Sequence, residues 1–497
     1  NLIRYMRYRG DTTLFYGAYR YRAAQFPSRL FPPADPDVDL PALMARMFER
    51  NGLKLVLNVE ANNPLPESRL HEFTHYDVWH GAPGVSNVNA SGRQNAGGSA
   101  IFPISNPWHP KVRAEYCRLA SELGERYGKY PAVAGLSWIT GQCWWSPTLA
   151  MPMDAGMDAA RAEDALLGLT SDDETFRQFE AWSGIKAAIA APPDSPARFK
   201  ERHEWVMKNA KDKFITFRDW AMTQTHLAFQ KAFSEKAPGR DYLAIDFCYH
   251  VFSGAAEWPM ALDAVRRIGF GPEHAGGVPG FLYCAYMPEA NGCTFWEHAS
   301  YRWQWMPRIK SFLQDDAYAK ALNDAGRTAR YVHRQFYEQC IYLSGMPNRK
   351  WMWDPNVSFL ACISYPQQAG RGYLADFVNQ LARGNPDYLC YCWCDSLLPM
   401  GFEPEHREIA AAYRSIPPGA YREGDGKDGM FLRRAEKKNA FYVVNTNGAA
   451  VQASLKTGVA GAWHDAVTGE TLHCSGDATG FSLQAFECKV YLPGHNR

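Results

Sequence analysis

The feature that most constrains this chain is a rhythm. A short apolar run, a polar loop and an amphipathic helical stretch recur over roughly the first four-fifths of the sequence. Apolar runs that read as strands fall at residues 13–21, 54–60, 133–139, 242–248, 280–287, 359–365 and 388–394. Helical periodicity lies between them at 40–51, 111–127, 214–233, 259–268, 317–337, 373–383 and 405–415. Such alternation needs a parallel sheet covered by helices, because parallel neighbours can be joined only by crossovers. The fold class expected is therefore α/β, a (β/α)8 barrel or a doubly wound sheet. No glycine-rich phosphate loop follows any strand, which argues against a dinucleotide-binding fold. After Pro417-Pro418-Gly419 the pattern changes to short alternating runs at 440–445, 451–456, 461–466, 470–474 and 481–492, with Val467-Thr-Gly-Glu470 as a hairpin turn. Two domains are expected, 1–416 and a small antiparallel β-sandwich at 417–497.

The loops after the second and third strands, 61–106 and 143–213, are long, and the second carries its own helical segments near 172–185 and 196–209. Barrel enzymes build their sites from loops at this end of the strands. A net charge of +1 and the absence of a basic run leave no footprint for nucleic acid. No apolar run reaches membrane-spanning length. Aromatic residues reach 14%, with 16 Trp and 26 Tyr; most belong in a core, but flat faces with a polar edge also suit pyranose rings. Cys390, Cys392 and Cys394 alternate along one run and read as buried thiols rather than a zinc site, which needs a turn between ligands. Cys474 and Cys488 fall in the C-terminal β region, where pairing is left open. No metal and no organic cofactor is expected. The chain opens Asn1-Leu-Ile-Arg-Tyr-Met in a helical pattern, leaving open that a segment precedes it.

Three stretches carry a resemblance: Asn106-Pro-Trp-His-Pro110 opening a helix, Glu122-Leu-Gly-Glu-Arg-Tyr-Gly-Lys-Tyr-Pro131 leading into a strand, and Phe176-Arg-Gln-Phe-Glu180-Ala-Trp-Ser-Gly184 in the insertion. With the closing Cys488-Lys-Val-Tyr-Leu492, the chain resembles bacterial (β/α)8 glycoside hydrolases with a C-terminal β-sandwich, closest in texture to family 10-like glycosyl hydrolase proteins. The resemblance implies a (β/α)8 barrel, a carbohydrate substrate and a secreted or periplasmic protein. In such enzymes the strand after the second stretch typically ends in Asn-Glu, the Glu being the general acid. Here Thr140-Gly141-Gln142 stands in its place.

Glycoside hydrolysis normally takes two carboxyl groups, one protonated and one ionised. Acids near strand ends are therefore the candidates. Glu60 closes the run Leu55-Val-Leu-Asn-Val59, and a carboxylate finishing a buried strand is paired or exposed in a cleft. Asp246 interrupts Leu243-Ala-Ile-Asp-Phe-Cys-Tyr-His250, where it either faces the barrel mouth or holds a buried Arg or His. His250 stands at an alternation that shares its face. Glu289 follows the fifth strand in a loop that leads to Trp296, and Asp395 follows Trp393 at the end of the last. The catalytic set is Glu289, Asp246, Glu60 and Asp395. Gln142, Trp138, Trp144, His250, Trp296 and Trp393 are the substrate-binding candidates.

Two other readings stand beside this one. A non-catalytic glycan-binding barrel would keep the aromatic cleft and carry the neutral Gln142. His71-Glu-Phe-Thr-His75 has zinc-peptidase spacing. Thr74 and Asp77 favour a turn there, which speaks against the helix that zinc binding needs.

Overall fold

The computed structural model describes residues 1–20, 23–60, 88–92, 106–139, 170–246, 281–283, 331–334, 338–341, 361–364, 370–374, 377–378, 381–382, 388–391, 402–437 and 439–494. The chain divides into two units, one of residues 13–284 and one of 1–12 with 285–497.

In the first unit, β1 (Thr13–Arg20), β3 (Lys54–Glu60), β4 (Val133–Ile139), β5 (Asp241–Asp246) and β6 (Phe281–Tyr283) lie side by side in chain order, all parallel. The short β2 (Ala23–Ala24) turns back antiparallel on β1. Helix α2 (Leu40–Glu49) joins β1 to β3, α3 (Pro110–Tyr127) joins β3 to β4, and α4 (Asp173–Ser183), α5 (Ala197–Asn209) and α6 (Lys211–Ser234) lie between β4 and β5. Leu55, Val56, Leu57 and Val59 are fully buried, as a strand covered on both faces requires.

The stretch Glu122–Pro131 is explained by packing. Glu122 is buried, and its carboxylate accepts from the Ser28 hydroxyl (2.6 Å), the Arg29 amide (2.8 Å) and Arg126 Nε (2.9 Å), so the charge is satisfied. The Tyr127 hydroxyl donates at 2.8 Å to Asp39, whose carboxylate also caps α2. Gly124 and Gly128 let α3 close on the end of α6: a Cβ on Gly124 would lie 2.8 Å from the Phe233 carbonyl. Gly135 plays the same part between strands, since a Cβ there would meet the Asp241 carbonyl at 2.3 Å.

In the second unit, α1 (Leu2–Arg9) and α7 (Glu403–Ser415) are tied by the Tyr5 hydroxyl, which donates to Glu403 (3.0 Å). Buried His406 bridges Asp11 (3.0 Å) and the Tyr373 hydroxyl (2.9 Å). Two strand pairs follow a different plan from the sequence reading. β7 (Tyr331–Arg334), inside a stretch expected to be helical, pairs parallel with β10 (Tyr388–Tyr391). Its Tyr-Val-His-Arg sequence has a β-branched and aromatic start that favours a strand over a helix. β9 (Ala361–Ser364), expected in a parallel sheet, pairs antiparallel with β8 (Glu338–Ile341). At four residues, β8 is too short to display a period of its own.

The C-terminal region is antiparallel. β11 (Tyr421–Lys427), β12 (Met430–Ala435), β13 (Phe441–Asn445), β18 (Cys488–Pro493), β15 (Ala460–Asp465) and β16 (Thr471–Ser475) form one sheet in that order; β14 (Val451–Leu455) and β17 (Thr479–Leu483) form another pair. Met430, Leu432, Phe441, Val443, Trp463, Phe481, Leu483 and Tyr491 fill one core of the region. The opposite face of β13, through Tyr442 and Val444, packs with Tyr373, Val378 and Ile409. The expected run at 481–492 is two strands, split by a turn in which Phe486 adopts a positive φ of 50°. The 467–470 turn is as expected, with Asp465 accepting from the amides of Val467 and Thr468 (2.8 and 2.9 Å). Cys474 and Cys488 are free thiols.

Candidate active site

Parallel strands that start together also end together, so one edge of the first unit's sheet gathers the strand C-termini. There the register pairs Glu60 with Ile139 and Ile139 with Ile245, while Asp246, one residue on, pairs with Tyr283. Glu60 and Asp246 are thus the last residues of β3 and β5, with β4 between them. Two inter-strand spacings separate their strands by about 10 Å. Trp138 pairs with Val59 and Ala244, one step back from the edge. Gln142, Trp144, His250, Glu289, Trp296, Trp393 and Asp395 lie outside the described residues, as do His71, Glu72 and His75.

Below the edge sits a polar pair that the sequence reading passed over. The Ser137 hydroxyl donates to Asn58 Oδ1 at 2.9 Å, with the Leu57 carbonyl 3.3 Å away; both residues are buried. Asn58 and Ser137 are register partners, and each stands two residues before the edge, in the strand phase of Glu60 and Ile139. The Asn58 amide N–H2 group has no protein acceptor among the described residues. The signal was present in the sequence: after Lys54 opens the strand, Asn58 and Glu60 are the polar residues that interrupt its apolar run, at the spacing of one face.

Asp246 belongs to the other phase, that of Tyr242. The Tyr242 hydroxyl is hydrogen-bonded to His226 Nδ1 of α6 at 2.8 Å, and both residues are buried. Burial pushes the His226 pKa down to about 3, so the imidazole is neutral. This contact fastens β5 to the helix that precedes it.

The loops that leave β3 and β4 are stitched together where they return to helices. Asn106, at the end of the first, donates to Asp172 Oδ1 (3.1 Å) and Thr175 Oγ1 (2.9 Å). Asp172 caps α4, accepting from the Thr175 amide (2.9 Å) and hydroxyl (2.8 Å). Ser171 donates its amide to the Val88 carbonyl (2.8 Å), and Gln178 donates to the Trp108 carbonyl (2.8 Å). Burial raises the Asp172 pKa to about 6, against the lowering by these hydrogen bonds. The Asn106–Pro110 stretch therefore works as a clamp for the loops. Among the described residues no cluster of His, Cys, Asp and Glu is able to hold a metal ion, and no helix is long and apolar enough to cross a membrane.

No protein-family model matches the chain, and comparison with curated proteins gives no match. Solved structures are similar to it in fold. A β-galactosidase from Bacillus circulans sp. alkalophilus aligns with a TM-score of 0.52 at 9% identity, covering 99% of this chain and 96% of its own. A β-galactosidase from the psychrophilic Marinomonas ef1 aligns at 0.49 and 13% identity over 83% of this chain, which spans 57% of that enzyme's length. An α-amylase from Geobacillus thermoleovorans, complexed with acarbose, aligns at 0.46 and 9% identity, covering 99% and 91%. Identities this low carry the fold and nothing finer. The chain shares the fold of the Bacillus circulans enzyme, an α/β barrel followed by an antiparallel sheet domain.

Proposed function

We propose that this protein is a glycosidase of the family 10-like kind, cleaving an oligo- or polysaccharide outside the cytoplasm with a carboxylate pair drawn from Glu60, Asp246, Glu289 and Asp395. The observation that carries the reading is the shared edge: Glu60 and Asp246 both finish parallel strands there, in a fold shared with a β-galactosidase. One carboxyl would protonate the leaving oxygen while the other, ionised, attacks the anomeric carbon or activates water. Glu60 has the stronger support, since it shares the strand phase of Asn58 and Ser137, whose polar groups sit directly beneath it in the register. The Asn58 amide would serve as a donor for a sugar hydroxyl. Residues 1–416 would then form the barrel and 417–497 the accessory β-sandwich. Gln142, Trp138, Trp144, His250, Trp296 and Trp393 would line the sugar subsites, and no organic cofactor takes part.

A second reading, a glycan-binding barrel without turnover, draws on Thr140-Gly141-Gln142, where the resembled hydrolases carry Asn-Glu. Turnover on a panel of aryl glycosides and polysaccharides, compared among wild type, Glu60→Gln, Asp246→Asn, Glu289→Gln and Asp395→Asn, separates the two. The expected result is activity in the wild type and its loss in two of the variants. Wild-type turnover in all four would remove the carboxylate assignment. Sugar binding with no turnover, even in Gln142→Glu, would favour the binding module.

A further inference from the structure

The helices between β4 and β5 carry an aromatic surface that the proposed hydrolysis does not use. Along α6, Phe214, Phe217 and Trp220 recur every three residues, a spacing that keeps them near one face. Phe214 and Phe217 are buried against Phe179 of α4, with ring centroids 5.1 and 5.6 Å away. Trp220 is 39% exposed. Trp182, near the end of α4, is half-buried and lies 6.3 Å from Trp220 at a tilt of 36°, and 5.9 Å from Phe217. Phe217 thus backs both indoles, with Trp220 inclined 30° and Trp182 inclined 52° to its ring. Neither indole N–H has a protein acceptor among the described residues.

We infer that Trp182 and Trp220 form a second carbohydrate-binding surface, taking pyranose rings of an oligo- or polysaccharide at a place separate from the strand ends. The choice of ligand rests on the glycosidase reading above; the platform itself rests on geometry alone. Two properties favour a sugar over other occupants. Two indoles fall far short of the roughly 800 Å² per partner that a stable protein interface needs. The tilts of 36° between the indoles and 30° between Phe217 and Trp220 make an open shelf, whereas a quaternary-ammonium cage surrounds its cation with aromatic walls. An indole face covers the C–H side of a pyranose, and its free N–H donates to a hydroxyl at the edge.

The test is affinity electrophoresis of the full chain through native gels containing soluble starch, galactan, arabinan or xyloglucan, run beside turnover of small aryl glycosides. Trp220→Ala carries the test; both indoles pack on Phe217, so the melting temperatures of Trp220→Ala and Trp182→Ala are recorded with it. The wild type is expected to be retarded by at least one polysaccharide, and Trp220→Ala to bind it about tenfold more weakly. Any aryl-glycoside turnover should stay unchanged in Trp220→Ala, whose melting temperature should stay well above that of the gel. Retardation of Trp220→Ala equal to wild type, or no retardation of the wild type by any of the four polymers, overturns the inference. Retardation that depends on Trp220 without any turnover would instead remove the glycosidase reading and leave the platform standing.

Discussion

Asp172 and His226 are both buried near the returning loops and the β5 anchor, and burial moves their titrations in opposite senses. Asp172 goes from 3.8 to about 6, so between those values the folded chain holds a proton that the unfolded chain has released. Its contribution to stability is therefore fullest below pH 3.8 and is lost as pH rises toward 6, by about 3 kcal/mol at most. His226 goes from 6.5 to about 3, so the unfolded chain takes up the proton first. Its contribution is fullest above pH 6.5 and is lost as pH falls. The two slopes oppose each other over the same window, and single variants unmask them. In urea unfolding between pH 4 and 7, Asp172→Asn should make the protein more acid-sensitive than wild type, and His226→Gln less so. Parallel curves for all three proteins would refute both assignments. None of this could be read from sequence, because neither Asp nor His carries a sign of burial in its neighbours alone.

At the scale of elements, the sequence was readable wherever a period ran long enough. β3 and β4 begin and end where the apolar runs do, and α3 starts within a residue of the expected place because Pro110 fits its first position. Tyr331–Arg334 was misread because a four-residue strand cannot establish a period of two against a longer helical pattern around it. β11 and β12 were missed for another reason: Tyr421–Lys427 is mostly exposed and polar, and only its pairing with buried β12 makes it a strand. Gly135 shows an element fixed by what is absent. Its missing side chain lets β5 enter against β4, so Gly135→Ala should push the strands apart and cost about 1–3 kcal/mol. Urea unfolding would read the loss, and a wild-type midpoint would show that the sheet accommodates the methyl group. The same variant moves the strand that ends in Asp246, so any glycosidase turnover should fall with it.

For the whole molecule, the scaffold and the chemistry draw on different information. Alternating strands and helices dictate a covered parallel sheet, and such a sheet has one edge where its strands finish. That edge fixes where Glu60 and Asp246 stand, whereas Glu289 and Asp395 lie outside the described residues. Phase within the strand distinguishes the two acids at the edge. Glu60 continues the polar column of Asn58, whereas Asp246 continues the column of Tyr242, which at that point is fastened to α6. If the edge is a glycosidase site, Glu60→Gln should lower kcat/KM by about 10²- to 10⁴-fold with an unchanged melting temperature. Asn58→Ala should raise KM more than it lowers kcat, because the amide binds rather than exchanges a proton. Added azide restoring turnover to Glu60→Ala, with a glycosyl azide of inverted anomeric configuration as product, would mark Glu60 as the ionised partner, since the anion then attacks the anomeric carbon in place of the missing carboxylate. A loss of turnover in Glu60→Gln accompanied by an equal loss of stability would return Glu60 to the scaffold and leave the chemistry to the loops.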